Sequence, residues 1–188
     1  MIILTGPSAS GKTATCLYLQ DHYGIKKVIT HTTRQMRKGE VNDVDYHFVT
    51  KEKFEEMKNN GDFIENVTFN GNFYGTSKNE VKIDKCMALE FNGAKTYSSF
   101  HDPKIVIFYM KANEKLRLSR MQGRGDEPEK IASRIANDHS AFEMDDSIYK
   151  IIDVEVDTEK YDIAQAADFI YHKYLEILKE RNIEFKAE

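Results

Sequence analysis

Gly6-Pro7-Ser8-Ala9-Ser10-Gly11-Lys12-Thr13, preceded by the apolar run Met1-Ile2-Ile3-Leu4 and followed by a stretch of helical pattern, decides the fold of this chain. Glycine, four residues, then Gly-Lys-Thr between a strand and a helix is the pattern of a phosphate-binding loop. Gly6 and Gly11 permit backbone angles and close approaches that a side chain would block, so successive amide N–H groups can turn inward toward phosphate oxygens. Lys12 adds a mobile positive charge for the outer phosphates, and Thr13 adds a hydroxyl suited to Mg²⁺. The helix that starts there directs the positive end of its dipole at the same anion. The candidate triphosphate-binding residues are Gly6, Ser8, Ala9, Ser10, Gly11, Lys12, Thr13 and Ala14, with Thr13 directed at the metal.

Outward from the loop, strand and helix signals alternate. A helix is expected from Lys12 to His22, with Cys16, Leu17, Leu19 and Tyr23 facing inward and Gly24 as its stop. Lys27-Val28-Ile29-Thr30 reads as a strand, and Ile105-Val106-Ile107-Phe108-Tyr109 as a strand covered on both faces. Asn113 is suited to cap a helix carrying Leu116, Arg120 and Met121, and Pro128 to open another with Ile131, Ile135, His139 and Phe142 at helical spacing. Ile151-Ile152-Asp153-Val154 reads as a late strand. Ile163, Ala167, Ile170, Tyr174 and Leu178 form the inward stripe of a terminal helix. This order implies an α/β fold, a parallel sheet flanked by helices with the phosphate loop at its carboxyl edge.

Between residues 31 and 85 the texture changes. A polar loop is followed by short strands around Tyr46-His47-Phe48-Val49 and Asp62-Phe63-Ile64-Glu65, with a Thr50-capped helix between them. Ser77 and Glu80 have capping-box spacing for a further short helix, which leads to the apolar segment Cys86-Met87-Ala88-Leu89. Residues 31–85 are therefore an expected insertion into a core formed by 1–30 and 86–188.

The chain's 188 residues suit one domain. Its 27 Lys and Arg against 31 Asp and Glu give a net charge of −4, which argues against a general nucleic-acid binder. No apolar run approaches a membrane span, and Cys16 and Cys86 lack metal-ligand spacing. With the phosphate loop beginning at Gly6 there is no room for a signal peptide before it, so a cytoplasmic protein with reduced thiols is expected.

A phosphate loop alone serves switches, motors, transporters and kinases. Thr30-His31-Thr32-Thr33-Arg34-Gln35-Met36-Arg37-Lys38-Gly39-Glu40 narrows the choice, because two arginines three residues apart match phosphate oxygens with guanidinium forks. Tyr46, Glu65 and Tyr74-Gly75-Thr76 then offer phenol, carboxylate and hydroxyl groups. An ionised Glu65 only accepts hydrogen bonds, so it suits a ring with adjacent N–H donors, as in guanine. His31 is assigned to loop structure.

TTRQMRKGE, DYHF, the FIE ending at Glu65, YGT and RMQGRG, with the opening loop and the later arginine of IASRIAND, resemble the guanylate kinase family in order and spacing. The resemblance implies phosphoryl transfer from ATP, with Mg²⁺, to GMP or dGMP. It assigns Arg34, Arg37, Tyr46 and Tyr74 to the GMP phosphate, and Thr30, Glu65 and Thr76 to guanine or its orienting contacts. Lys12, Arg37, Arg120, Arg124 and Arg134 become the catalytic cations, the last three on a lid at about 118–138 with Gly123 and Gly125 flanking Arg124. No nucleic-acid or membrane partner is implied, and oligomeric state is not indicated.

Two departures stand out. Where the family has a pair of aspartates one residue apart, this chain has Ala88 and Glu90, so Glu90 joins the GMP-binding set or else partners an arginine. Ile152-Asp153-Val154-Glu155 replaces the family's Val-Asn-Asp, and no adenine contact is assigned there. Two other readings keep the same fold: a kinase of another small phosphate acceptor, such as a sugar phosphate, and a binding module that uses the arginine and tyrosine site without catalysis.

Overall fold

The computed structural model describes residues 1–36, 38–69, 71–142 and 147–186. Its first sheet is built from β1 (Ile2–Thr5), β2 (Lys26–Lys27), β7 (Lys85–Ala88), β8 (Val106–Lys111) and β9 (Val154–Asp157), in the order β2-β7-β1-β8-β9 and parallel throughout. Alternation along β1 assigns its side chains to two cores. Ile2 and Leu4 pack with Cys16 and Leu19 of α1 (Lys12–Tyr23) and with Ala167, Ile170 and Tyr174 of α7 (Ile163–Glu180). Ile3 packs on the opposite face with Val28, Ile107 and the Ala94 and Tyr97 of α3 (Phe91–Ser98). The two cysteines meet inside the first core, where the Cys86 thiol lies 3.8 Å from the Cys16 carbonyl oxygen. Both are free thiols.

A second sheet is ordered β4-β3-β6-β5, from β3 (His31–Thr32), β4 (His47–Phe48), β5 (Phe63–Phe69) and β6 (Asn72–Ser77). Helix α2 (Lys51–Asn59) covers it, with the Thr50 hydroxyl accepting from the Lys53 amide as its cap. Phe54 of α2 is buried and stacks on Phe63 at 4.5 Å between ring centroids. The chain is completed by α4 (Glu114–Gly123), capped by Asn113, by α5 (Pro128–Phe142) and by the short α6 (Ser147–Ile151). Among the described residues no helix is long and apolar enough to cross a membrane.

Several expected elements differ in detail. Leu17 is 50% exposed, and the inward face of α1 is Thr15, Cys16 and Leu19. The strand expected at Lys27–Thr30 ends at Lys27: Val28 still donates to the Cys86 carbonyl, but the next amide, Ile29, is taken by the Glu80 carboxylate and the chain leaves the sheet. After Ser77 there is only the 3-10 turn Lys78–Glu80, because the Ser77 hydroxyl accepts from the Asn79 amide two residues on, a turn-type contact. Ile151 closes α6 instead of opening a strand, and β9 starts after Asp153, whose carboxylate accepts from the Ile107 amide at 2.7 Å.

Candidate active site

The phosphate loop leaves β1 at Gly6, where φ is +143° and an added Cβ would lie 2.5 Å from the Met110 carbonyl oxygen. Only glycine permits that approach to β8. Gly11, at φ +102°, caps α1 with no side-chain bond, so the first amides of the helix remain available to an anion. Ala9, at φ 62°, is a non-glycine residue in the left-handed region, a cost that functional loops often carry. The Lys12 ammonium folds back on this loop and donates to the Gly6 and Pro7 carbonyls at 2.6 and 2.9 Å. Burial lowers its pKa from 10.5 to about 8, against the opposing pull of Asp138 and Glu90.

Two cavities flank the loop. One of about 350 Å³ is lined by Ala9, Gly11, Ala14, Arg120, Arg124 and Ile163. The other, of about 280 Å³, is lined by Ser8, Ala88, Glu90, Arg134, Asn137 and Asp138. Lys12 and Thr13 line both. Glu90, the N-cap residue of α3, makes no side-chain cap bond to its own helix.

The arginines expected on the lid differ in their present partners. Arg120 holds the loop itself, donating to the Ala9 carbonyl at 3.1 Å and to the Thr158 carbonyl at 3.0 Å, and burial lowers its pKa. Arg124 and Arg134 share Asp126, at 2.9 and 2.8 Å. Each also borders one of the two cavities, so both arginines are close to the loop while paired away from it.

On the second sheet the structure brings together Arg34, Tyr46 and Tyr74. The Arg34 guanidinium lies 5.4 Å from the Tyr46 ring centroid, and the two tyrosine rings are 6.2 Å apart. The fork of Arg34 grips Glu40 with both nitrogens, at 3.0 and 2.7 Å. A register shift in β5 between Phe63 and Glu65 sets Glu65 opposite Thr76, whose hydroxyl donates to the Glu65 carboxylate at 2.8 Å. The Thr30 carbonyl accepts from the His47 amide just before β3. Arg37 lies outside the described residues.

Sequence reasoning missed a charged contact on the loop. Asp138 of α5 accepts from the Ser8 amide with both oxygens, at 3.1 and 2.9 Å, and from the Ser8 hydroxyl at 3.2 Å. Arg117 of α4 donates to the same carboxylate at 2.5 Å, and the two residues are only 6% and 9% exposed. The signal lay in the helical spacing. Asp138 takes the inward position after Ile131 and Ile135, and Arg117 stands four residues before the buried Met121, so charges occupy positions a core stripe would give to apolar groups.

The guanylate kinase family profile matches residues 1–172. The chain belongs to the guanylate kinase family. It is 33% identical to a Fusobacterium nucleatum guanylate kinase over 160 residues, covering 81% of this chain and 86% of that one. Its identity to a Shewanella violacea guanylate kinase is 35% over 175 residues, or 88% and 83% of the two chains. The crystal structure of an Anaplasma phagocytophilum guanylate kinase superposes with a TM-score of 0.54 at 22% identity, covering 98% of this chain and 96% of that one, and so shares the fold. Membership of the guanylate kinase family gives one origin to motifs that the sequence spreads from Gly6 to Arg134.

Proposed function

We propose that this guanylate kinase family member is a nucleoside monophosphate kinase that transfers the terminal phosphoryl group of ATP to GMP or dGMP, giving GDP or dGDP. The observation that carries the reading is the meeting of two cavities at Lys12 and Thr13, with arginines at the rim of each. Transfer between two nucleotides needs no protein nucleophile, only alignment and charge neutralisation. Gly6, Ser8, Ala9, Ser10, Gly11, Lys12, Thr13 and Ala14 hold the donor. Lys12 exchanges two neutral carbonyls for phosphate oxygens, which is a gain for a half-buried cation. Arg34, Arg37, Tyr46 and Tyr74 hold the acceptor's phosphate, Arg34 giving up Glu40 to do so. Glu65, oriented by Thr76, accepts from guanine N–H groups; Thr30 and Glu90 complete the acceptor side. Arg124 and Arg134 leave Asp126 to neutralise the group in flight, with Arg120 anchoring the loop beneath it.

Thr13 and Glu90 line one cavity, and their side chains carry hard oxygen donors, which fits Mg²⁺. When bound, the ion neutralises the outer phosphates. Among the described residues no three His, Cys, Asp or Glu are grouped to hold a metal unaided, in keeping with an ion that enters with its nucleotide. Residues 31–85 act as the acceptor-binding part, residues 1–30 and 86–188 as the core, and residues 118–138 as the lid. In the cytoplasmic setting of this reading, Cys16 and Cys86 stay reduced. A panel of nucleoside monophosphates and sugar phosphates, assayed with ATP and Mg²⁺ as ADP release, tests the reading. Turnover confined to GMP and dGMP is expected, with a loss of roughly 10²-fold or more in Lys12→Ala and Arg37→Ala. Binding of GMP without turnover, or turnover only of a sugar phosphate, would overturn it.

A further inference from the structure

We propose that Asp138 is a positioning residue that latches the lid helix α5 onto the phosphate loop, with Arg117 as the charge that holds it in place. The proposal rests on the phosphotransfer reading above. Asp138 joins three segments through one carboxylate: the loop at Ser8, helix α4 at Arg117, and its own helix α5. All of its loop bonds go to Ser8, in the first half of the loop. The amides at the start of α1 stay open to phosphate.

Asp138 also stands one helical turn beyond Arg134, so the two share a face of α5, and both border the cavity that contains Lys12 and Thr13. Fixing Asp138 on Ser8 fixes the height of Arg134 above that cavity. A carboxylate suits the task better than an amide because its two oxygens accept from the Ser8 amide, the Ser8 hydroxyl and Arg117 together. The pairing is not optimised for stability. Buried ion pairs are commonly replaceable by apolar residues without loss, and the Arg117 Nε has no hydrogen-bond partner. Arg117 has a second effect: it cancels the charge of Asp138, which would otherwise repel an incoming triphosphate.

The test compares Asp138→Asn, Arg117→Met and the double variant Arg117→Met/Asp138→Leu, the last filling the site with apolar volume to preserve folding. Amide hydrogen exchange is read over residues 6–13 and 128–142 without nucleotide. Phosphotransfer to GMP and ATP hydrolysis without acceptor are read in parallel. In Asp138→Asn and the double variant, exchange at the loop is expected to rise about tenfold and kcat for transfer to fall roughly 10- to 100-fold, the cost of a small misplacement. KM for GMP stays within about twofold, and the ratio of hydrolysis to transfer rises as water enters. Arg117→Met, which leaves Asp138 unneutralised, raises KM for ATP more than the double variant does. Unchanged loop exchange with an unchanged hydrolysis ratio in a folded variant would overturn the latch, as would failure of every variant to fold. If the wild-type chain does not phosphorylate GMP, the phosphotransfer reading fails while the exchange measurement still decides the latch.

Discussion

Lys12 is a half-buried cation waiting for an anion. Its folded pKa, about 8, lies below the ordinary 10.5, so between those values the unfolded chain holds a proton that the folded chain has released. Stability therefore rises with pH across that window, by about 3 kcal/mol in all, and the gain is absent below pH 8. Lys12→Met is expected to stabilise the ligand-free protein at pH 7 by about 1–3 kcal/mol in thermal unfolding, while abolishing phosphotransfer. Phosphate around the ammonium reverses the shift. At pH 8, titration calorimetry in buffers of different ionisation enthalpy should show uptake of about half a proton per ATP bound. The cradle of Lys12 was legible because its chemistry is written in eight consecutive residues. Asp138 was not, because Ser8, which gives it meaning, is 130 positions away.

At the scale of elements, the second sheet depends on close contacts that periodicity does not convey. Gly75, in β6, would place a Cβ 2.9 Å from the Phe63 ring and 3.1 Å from Phe54. Gly75→Ala is expected to push this aromatic stack apart at a cost of about 1–3 kcal/mol, read as a lowered midpoint in urea. The same sheet carries a histidine pair, His31 and His47, with ring centroids 4.5 Å apart and the rings tilted by 38°. Burial first, then His47, lowers the pKa of His31, with Glu80 and Asp43 pulling the other way. A depressed base gives stability that is present above its unfolded pKa of 6.5 and lost as pH falls through the folded value. Thermal unfolding from pH 7.5 to 5 should therefore lose stability below 6.5, with a shallower slope in His31→Phe. The parallel core was readable from continuous apolar runs. The β5–β6 hairpin was harder to read: its strands mix polar with aromatic residues, and their pairing rests on a register shift near Glu65 that no propensity encodes. Helix α3 was missed because Phe91–Ser98 begins at a glutamate cap with no side-chain bond.

The whole molecule joins a parallel sheet between helices to a smaller sheet, and nucleotides binding to both should stabilise them together. With an unreactive ATP analogue and GMP present, each site at about 100 times its Kd contributes about 2.7 kcal/mol, or roughly 5–11 °C in Tm. A protein lacking one site would show only half of that additive shift. The two buried thiols offer a different view of the same molecule. Cys16 sits on α1 one turn beyond Lys12, Cys86 sits on the sheet beneath it, and they are 6% and 0% exposed. The neighbouring Cys86 thiol and then burial raise the Cys16 pKa, so Cys16 is not a ready nucleophile in the closed chain. A thiol-labelling reagent thus becomes a stopwatch for the parting of α1 from the sheet: modification should proceed at the rate of opening and slow when ATP is bound.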